Sequence, residues 1–160
     1  MYDVTYKVTA KKVGKLAVDV QARDFTIRID EPEKAGGENT GMNPVELYLG
    51  SLGACTVITA SAFARQCKVV LDDLWVEVEG DLDKAGQMGY NGIRPGYQEI
   101  RLAYHFKSSS PQKNLAKLLN LVETRCPVRD CVINGVPIGK PKYYLVDPVL
   151  TTTTEVEAQK

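Results

Sequence analysis

The sequence predicts a mixed fold of helices and antiparallel strands, about six strands and two long helices in the order β-β-β-α-β-β-α-β. Three observations predict it: period-two alternation near the start and in the middle of the chain, one long uncharged apolar segment, and one leucine stripe at helical spacing. Tyr2, Val4, Tyr6 and Val8 alternate with Asp3, Thr5, Lys7 and Thr9, and the pattern resumes at Leu16, Val18, Val20 and at Phe25, Ile27, Ile29. With Gly14 and Ala22-Arg23-Asp24 as turns, these runs read as a meander with one buried and one wet face. The next segment, Glu31 to Met42, carries Pro32, Gly36, Gly37 and Gly41. It is a loop of a length that is often functional.

Asn43 is placed to cap a helix and Pro44 to occupy its first position, with the helix reaching about Gln66. Leu47 to Ala64 holds no charge, which touches the threshold for a membrane span. Gly50, Ser51, Gly53, Ala54, Thr56, Thr59 and Ser61 make the segment only weakly hydrophobic, so no membrane is expected. A helix without a polar face must be surrounded by protein, and its small residues invite a second subunit into the wrapping.

Two further strands are expected at Leu74 to Leu82 and Tyr97 to Lys107, joined by the Gly-rich loop Asp83 to Gly96. In the second, Ile100, Leu102, Tyr104 and Phe106 face one way while Glu99, Arg101, Ala103 and His105 face the other, which puts His105 on the polar face in a surface or packing role. Trp75 shares a face with Glu77 and Glu79 and is expected at an edge or interface. Ser110-Pro111 is read as the cap of a second helix with Leu115, Leu118, Leu119 and Val122 on one stripe, and Cys126 continues that stripe. The chain then turns at Pro127, makes a short helical piece through Cys131, passes a loop from Asn134 to Lys142, and closes with a strand from Tyr143 to Leu150. Residues 1–150 thus read as one domain and 151–160 as a polar, frayed tail.

The 20 basic and 20 acidic side chains cancel, without a Lys/Arg run, so no nucleic-acid partner is expected. The start of the chain does not read as a secretory signal, and the expected location is the cytoplasm. Four cysteines are too few for a disulfide scaffold. Cys55, Cys67, Cys126 and Cys131 contain no C-x-x-C, and the single histidine, His105, is remote from them, which disfavours structural zinc. No metal or cofactor is expected, and phosphate-binding glycine motifs, G-x-S-x-G and H-E-x-x-H are absent.

That leaves thiol chemistry as the candidate. Cys55 sits in the middle of the apolar helix, where a cysteine also serves as a small hydrophobe. Cys126 ends one helix and precedes a proline that can start another, a position near unpaired N–H groups that favour a thiolate. Both lie on apolar stripes that should meet in one core. Cys67 and Cys131 read as bystanders.

Asn43-Pro44-Val45-Glu46-Leu47 through Leu52-Gly53-Ala54-Cys55-Thr56, Arg94-Pro95-Gly96-Tyr97-Gln98-Glu99-Ile100 and Arg125-Cys126-Pro127-Val128 resemble, in order and spacing, the OsmC/Ohr family. The resemblance implies an α+β fold that intertwines as a homodimer, with both long helices central and two sites at the subunit interface. It implies a peroxidase that reduces organic hydroperoxides without a cofactor, with Cys55 attacking, Cys126 resolving, and an external dithiol or lipoylated protein as reductant. Family peroxidases usually place a carboxylate ten residues before the reactive cysteine and an arginine in the first hairpin. Here those places hold Val45 and the run Lys11-Lys12-Val13-Gly14-Lys15. Glu46, Arg94, Lys12 and Lys15 are the candidate supporting residues, with Arg23 and Arg28 as further arginines. The alternative reading is a non-enzymatic module that binds a small apolar or acyl ligand at the dimer interface.

Overall fold

The computed structural model describes residues 3–90, 92–146 and 153–156. Strands β1 (Thr9–Lys12), β2 (Val18–Ala22) and β3 (Phe25–Ile29) form an antiparallel meander. Its register pairs Ala10 with Val20 and Val20 with Ile27. Arg23, at φ 54°, takes the left-handed conformation of the β2–β3 turn, and its guanidinium lies 4.9 Å from the Phe25 ring centre. The first strand starts later than the alternation suggests. Val4, Tyr6 and Val8 are exposed and outside the ladder, because alternation marks strand propensity and not the presence of a partner edge; Tyr2 lies outside the described residues.

The loop after β3 is wound around one carboxylate. Asp30 is buried and accepts from the backbone N–H groups of Glu31 (2.8 Å), Glu38 (3.1 Å) and Thr40 (3.1 Å) and from the Thr40 hydroxyl (2.9 Å). Burial alone would raise its pKa, but the bonds from Thr40, Glu31 and Glu38 outweigh burial and hold it below the usual carboxylate value. Its stabilising effect is therefore fully present above the unfolded pKa of about 3.9 and lost as pH falls through the lower folded value. Asp30→Asn is expected to lower the melting temperature at pH 7, with a smaller gap to wild type at a pH below the folded value of this carboxyl. Thermal melts of the two proteins at both pH values check this.

Helix α1 (Pro44–Ala64) begins where expected. Asn43 Oδ1 accepts from Glu46 N (2.9 Å) and the Glu46 carboxylate accepts from Asn43 N (2.8 Å), a reciprocal capping box with Pro44 at the first position. Strands β4 (Asp73–Leu82) and β5 (Tyr97–Lys107) form a long antiparallel ribbon that pairs Trp75 with His105. Those two rings stack at 4.7 Å, and His105 Nε2 lies 2.8 Å from Glu77 Oε2, the surface and packing role expected of His105. Within the Gly-rich connection the chain makes a short helix, α2 (Lys84–Gln87), started by Asp83 accepting from Ala85 N.

Helix α3 (Gln112–Arg125) starts after Pro111 with no side-chain cap bond. The expected Ser110 cap is corrected: its hydroxyl oxygen accepts from Val70 N at 2.8 Å, because the chain leaving α1 passes close enough to use it. Helix α4 (Pro127–Asn134) is the short piece expected after Pro127. Strand β6 (Tyr143–Val146) pairs with β7 (Thr153–Val156), so part of the tail read as frayed forms a strand. Residues 147–152 of the expected closing strand and tail, and 157–160, lie outside the described residues.

The α+β architecture expected from the sequence is borne out, with the strands divided among three antiparallel sheets: β1-β2-β3, β4-β5 and β6-β7. The core lies where α1 crosses α3 over the β4-β5 ribbon. Ala60, Ala64, Cys67, Val69, Leu118 and Val122 are buried there, with Phe63, Leu74, Tyr104 and Phe106 packed around them. Helix α1 is long and apolar enough to cross a membrane by length and composition, but it packs on α3, α4 and β4. Its other side is open in the single chain, with Ile58 68% exposed.

Candidate active site: a pair of thiols

Two elements distant in sequence bring Cys55 and Cys126 together. Cys55 lies midway along α1, on the side that meets the junction of α3 and α4. Cys126 sits at that junction, ending α3 and capping α4 in extended conformation (φ −72°, ψ 111°). Pro127 forces the break, since it cannot supply the N–H that would continue α3, and its fixed φ suits the first turn of a new helix. The two Sγ atoms are 3.0 Å apart, and both cysteines are free thiols. Cys126 is 1% exposed, whereas Cys55 is half-buried, so Cys55 is the more accessible sulfur.

The start of α4 points N–H groups at both sulfurs. Arg129 N donates to Cys126 Sγ at 3.5 Å, and Val128 N–H acts on Cys55. Thr59, one turn beyond Cys55, donates its hydroxyl to Cys55 O (2.7 Å), with its oxygen 4.0 Å from Cys55 Sγ. Burial pushes the Cys55 thiol up, and its contact with Cys126 adds to that; the Val128 N–H and Thr59 act in the opposite direction without cancelling it. In the single chain these causes favour the protonated thiol of Cys55, and positive charge brought near it would act in the opposite direction. The neighbouring Thr56 hydroxyl is fully buried and has no hydrogen-bond partner among the described residues.

The four supporting candidates are not brought to the sulfurs within one chain. Helix α1 is continuous, so Glu46, nine residues before Cys55, lies about 180° round it, and its carboxylate is used in the capping box. Lys12 ends β1 and Lys15 lies in the β1–β2 turn, both exposed. Arg94 lies in the loop before β5 and donates through Nη2 to Tyr97 O. None of the four makes a hydrogen bond to either sulfur. Arg28 pairs with Asp19 and Arg23 stacks on Phe25. Cys67 belongs to the core and Cys131 is exposed on α4. Among the described residues no group of three or more His, Cys, Asp and Glu is arranged to hold a metal.

Sequence reasoning did not single out Thr59 or the cavity at the start of α1. That cavity, of about 560 Å³, lies between the start of α1, the ends of β4 and β5, and α4. Tyr48 and Tyr97 stack across it with ring centres 6.1 Å apart. Tyr48, seven residues before Cys55, shares its face of α1, a spacing that could have pointed to it.

A family model described as OsmC-like protein matches residues 37–139 of the chain. The chain belongs to the OsmC-like family. The match spans α1 and Cys55, the β4-β5 ribbon, and α3 with Cys126 and α4. Among curated relatives, this OsmC-like chain is 24% identical over 128 residues to a hydroperoxide reductase of Mycoplasma genitalium, an alignment covering 80% of this chain and 86% of that one. Among solved structures it is similar to an OsmC-like protein from Mycoplasma pneumoniae, with a TM-score of 0.71 and 23% identity over 82% of this chain and 89% of that one. An organic hydroperoxide resistance protein OsmC from Legionella pneumophila is similar at a TM-score of 0.58 and 22% identity, covering 83% and 93% of the two chains.

Proposed function

We propose that this OsmC-like protein is a cysteine-dependent reductase of organic hydroperoxides, with Cys55 as the attacking thiol and Cys126 as the resolving one. The observation that carries the reading is the 3.0 Å approach of the two sulfurs, one of them accessible, at a helix start. The name of the Mycoplasma genitalium relative supports the substrate class.

In the first step the Cys55 thiolate attacks the outer peroxide oxygen. The O–O bond breaks, the alkoxide leaves and takes up a proton as the alcohol, and Cys55 becomes a sulfenic acid. Cys126 then attacks the Cys55 sulfur, hydroxide leaves with the Cys126 proton as water, and a disulfide forms. Two thiols and one hydroperoxide thus give one disulfide, one alcohol and one water. An external dithiol or a lipoylated protein returns the disulfide to two thiols by exchange. The N–H groups of Val128 and Arg129 face the charge that develops on sulfur.

The working form in this reading is a cytoplasmic homodimer. A second copy covers the open side of α1 and the exposed apolar residues of the N-terminal meander, such as Phe25 and Ile27. It also supplies the positive charge that Cys55 lacks, for which the hairpin lysines Lys12 and Lys15 are exposed and free to reach across.

Excess alkyl hydroperoxide added to the reduced protein should lower the free-thiol count by two per chain. The intact mass should fall by two hydrogens, and peptide mapping should find a Cys55–Cys126 link. A chain that keeps all four of its thiols under that treatment overturns the reading. It would favour a non-enzymatic module binding a small apolar or acyl ligand, a reading motivated by the raised pKa of Cys55 and by a Glu46 occupied in its cap.

A further inference from the structure

Resting on the reading of Cys55 as the attacking thiol, we propose that Thr59 is a positioning residue for it. Its hydroxyl passes a hydrogen bond from the Cys55 carbonyl to the Cys55 sulfur when that thiol ionises. Thr59 lies four residues after Cys55 on α1, so the two share a face. A helical side chain leans back over the preceding turn, which lays the Thr59 hydroxyl against Cys55. Its oxygen is 2.7 Å from Cys55 O, to which it donates, and 4.0 Å from Cys55 Sγ.

One hydroxyl can serve both protonation states because it carries one proton and two lone pairs. With Cys55 protonated, the hydroxyl proton rests on Cys55 O and the lone pairs are open to the Cys55 S–H. Once the thiol proton has gone to water, the sulfur is an acceptor only. Rotation about the Cβ–Oγ bond then turns the hydroxyl proton to the sulfur. Cys55 O is not orphaned by this, since the continuous helix gives it the Thr59 backbone N–H. The exchange adds a donor to the charged form, which is the form that attacks peroxide.

Its surroundings set this hydroxyl apart. Ser61 donates to Val57 O and Thr124 to Asn120 O, both at 2.8 Å, in the same four-residue back-bond. Both of those residues are exposed, and neither has a sulfur one turn back. Thr59 is 7% exposed, so water competes little for its proton.

Charge around the pair is sparse. Cys126 faces Cys55 from the α3–α4 junction. Glu123 on α3 is exposed, and Arg129 on α4 uses one guanidinium N–H on Glu123 O. Tyr104 on β5 has its phenol pushed up by burial and by Glu123. From β4, Val78 packs against α1 at Gly53. Val128 N–H also favours the thiolate of Cys55, but it belongs to the backbone. Thr59 is the side chain through which a substitution can reach this balance.

Alkylation of Cys55 by iodoacetamide, mapped by peptide mass across the pH range in reduced wild type, Thr59→Val and Thr59→Ser, tests this without peroxide. Valine keeps the branched shape and removes the hydroxyl. Cys55 in Thr59→Val should react about three- to tenfold more slowly than in wild type at pH 7, the range for one modest hydrogen bond. That deficit should close as pH rises past the ionisation of the thiol. Thr59→Ser keeps the donor and should stay within about twofold of wild type. A Thr59→Val profile that overlays wild type, a deficit equal at every pH, or a Thr59→Ser profile matching that of Thr59→Val overturns the proposal. If Thr59→Val does not fold, Thr59→Ala removes the same hydroxyl and decides. The thiol count under hydroperoxide involves no Thr59 variant, so the two readings fall separately.

Discussion

Cys55→Ser protein is expected to consume alkyl hydroperoxide only at the uncatalysed background rate, a loss of roughly three orders of magnitude or more, as removal of a catalytic nucleophile typically gives. The hydroxyl is a far weaker nucleophile toward peroxide oxygen, and no other sulfur is placed to replace Cys55. Cys126 is 1% exposed, Cys67 is in the core and Cys131 stands apart on α4. Cys126→Ser should behave differently: each chain consumes one hydroperoxide and stops, gaining the mass of one oxygen, because the sulfenic acid on Cys55 has lost the sulfur 3.0 Å away. Peroxide consumption under turnover conditions, with intact mass after a single addition, reads both. A Cys55→Ser protein that matches wild type removes the proposed mechanism, and a Cys126→Ser protein that turns over normally removes the resolving role.

The second large effect is on stability. Leu118→Ala should lower the free energy of unfolding by about 2–5 kcal/mol, the range for truncating a buried leucine. Leu118 is 0% exposed and packs in the cluster with Ala60, Ala64, Val69 and Val122. Its neighbours on α1 are small, and a backbone held by long helices cannot collapse into the space left behind, so a cavity term adds to the lost transfer energy. Urea denaturation with an unchanged slope and a lower midpoint checks it. An effect below about 1 kcal/mol would mean that the α1–α3 seam is not tightly packed, since ordinary surface substitutions fall within about half that. The same seam leads to Cys126, four residues beyond Val122, so looseness there would also relax the thiol pair.

Much of this molecule could be read from local pattern. Asn43 and Pro44 announce the start of α1, and the structure adds Glu46 to complete a capping box there. The alternation of Tyr97 to Lys107 marks β5 at both ends, and Pro127 marks where α3 must give way to α4. These signals are legible because a cap, a period of two or a missing N–H acts within a few residues of itself. The stripe Leu118, Val122, Cys126 even told which way Cys126 faces.

What the sequence by itself determined, then, was the kind and order of the elements and the apolar stripes that carry both candidate sulfurs. Tertiary structure alone decided that those sulfurs, 71 residues apart, come to 3.0 Å. It decided equally that Ser110 serves Val70 and not its own helix, that the meander and the β4-β5 ribbon form separate sheets, and that a cavity lined by Tyr48, Arg94 and Tyr97 opens between the start of α1 and the β4-β5 ribbon. The physical reason is that a crossing of two helices is set by the summed packing of every side chain between them. No window along the chain contains that sum, so separations across the core are fixed only when the whole chain is folded.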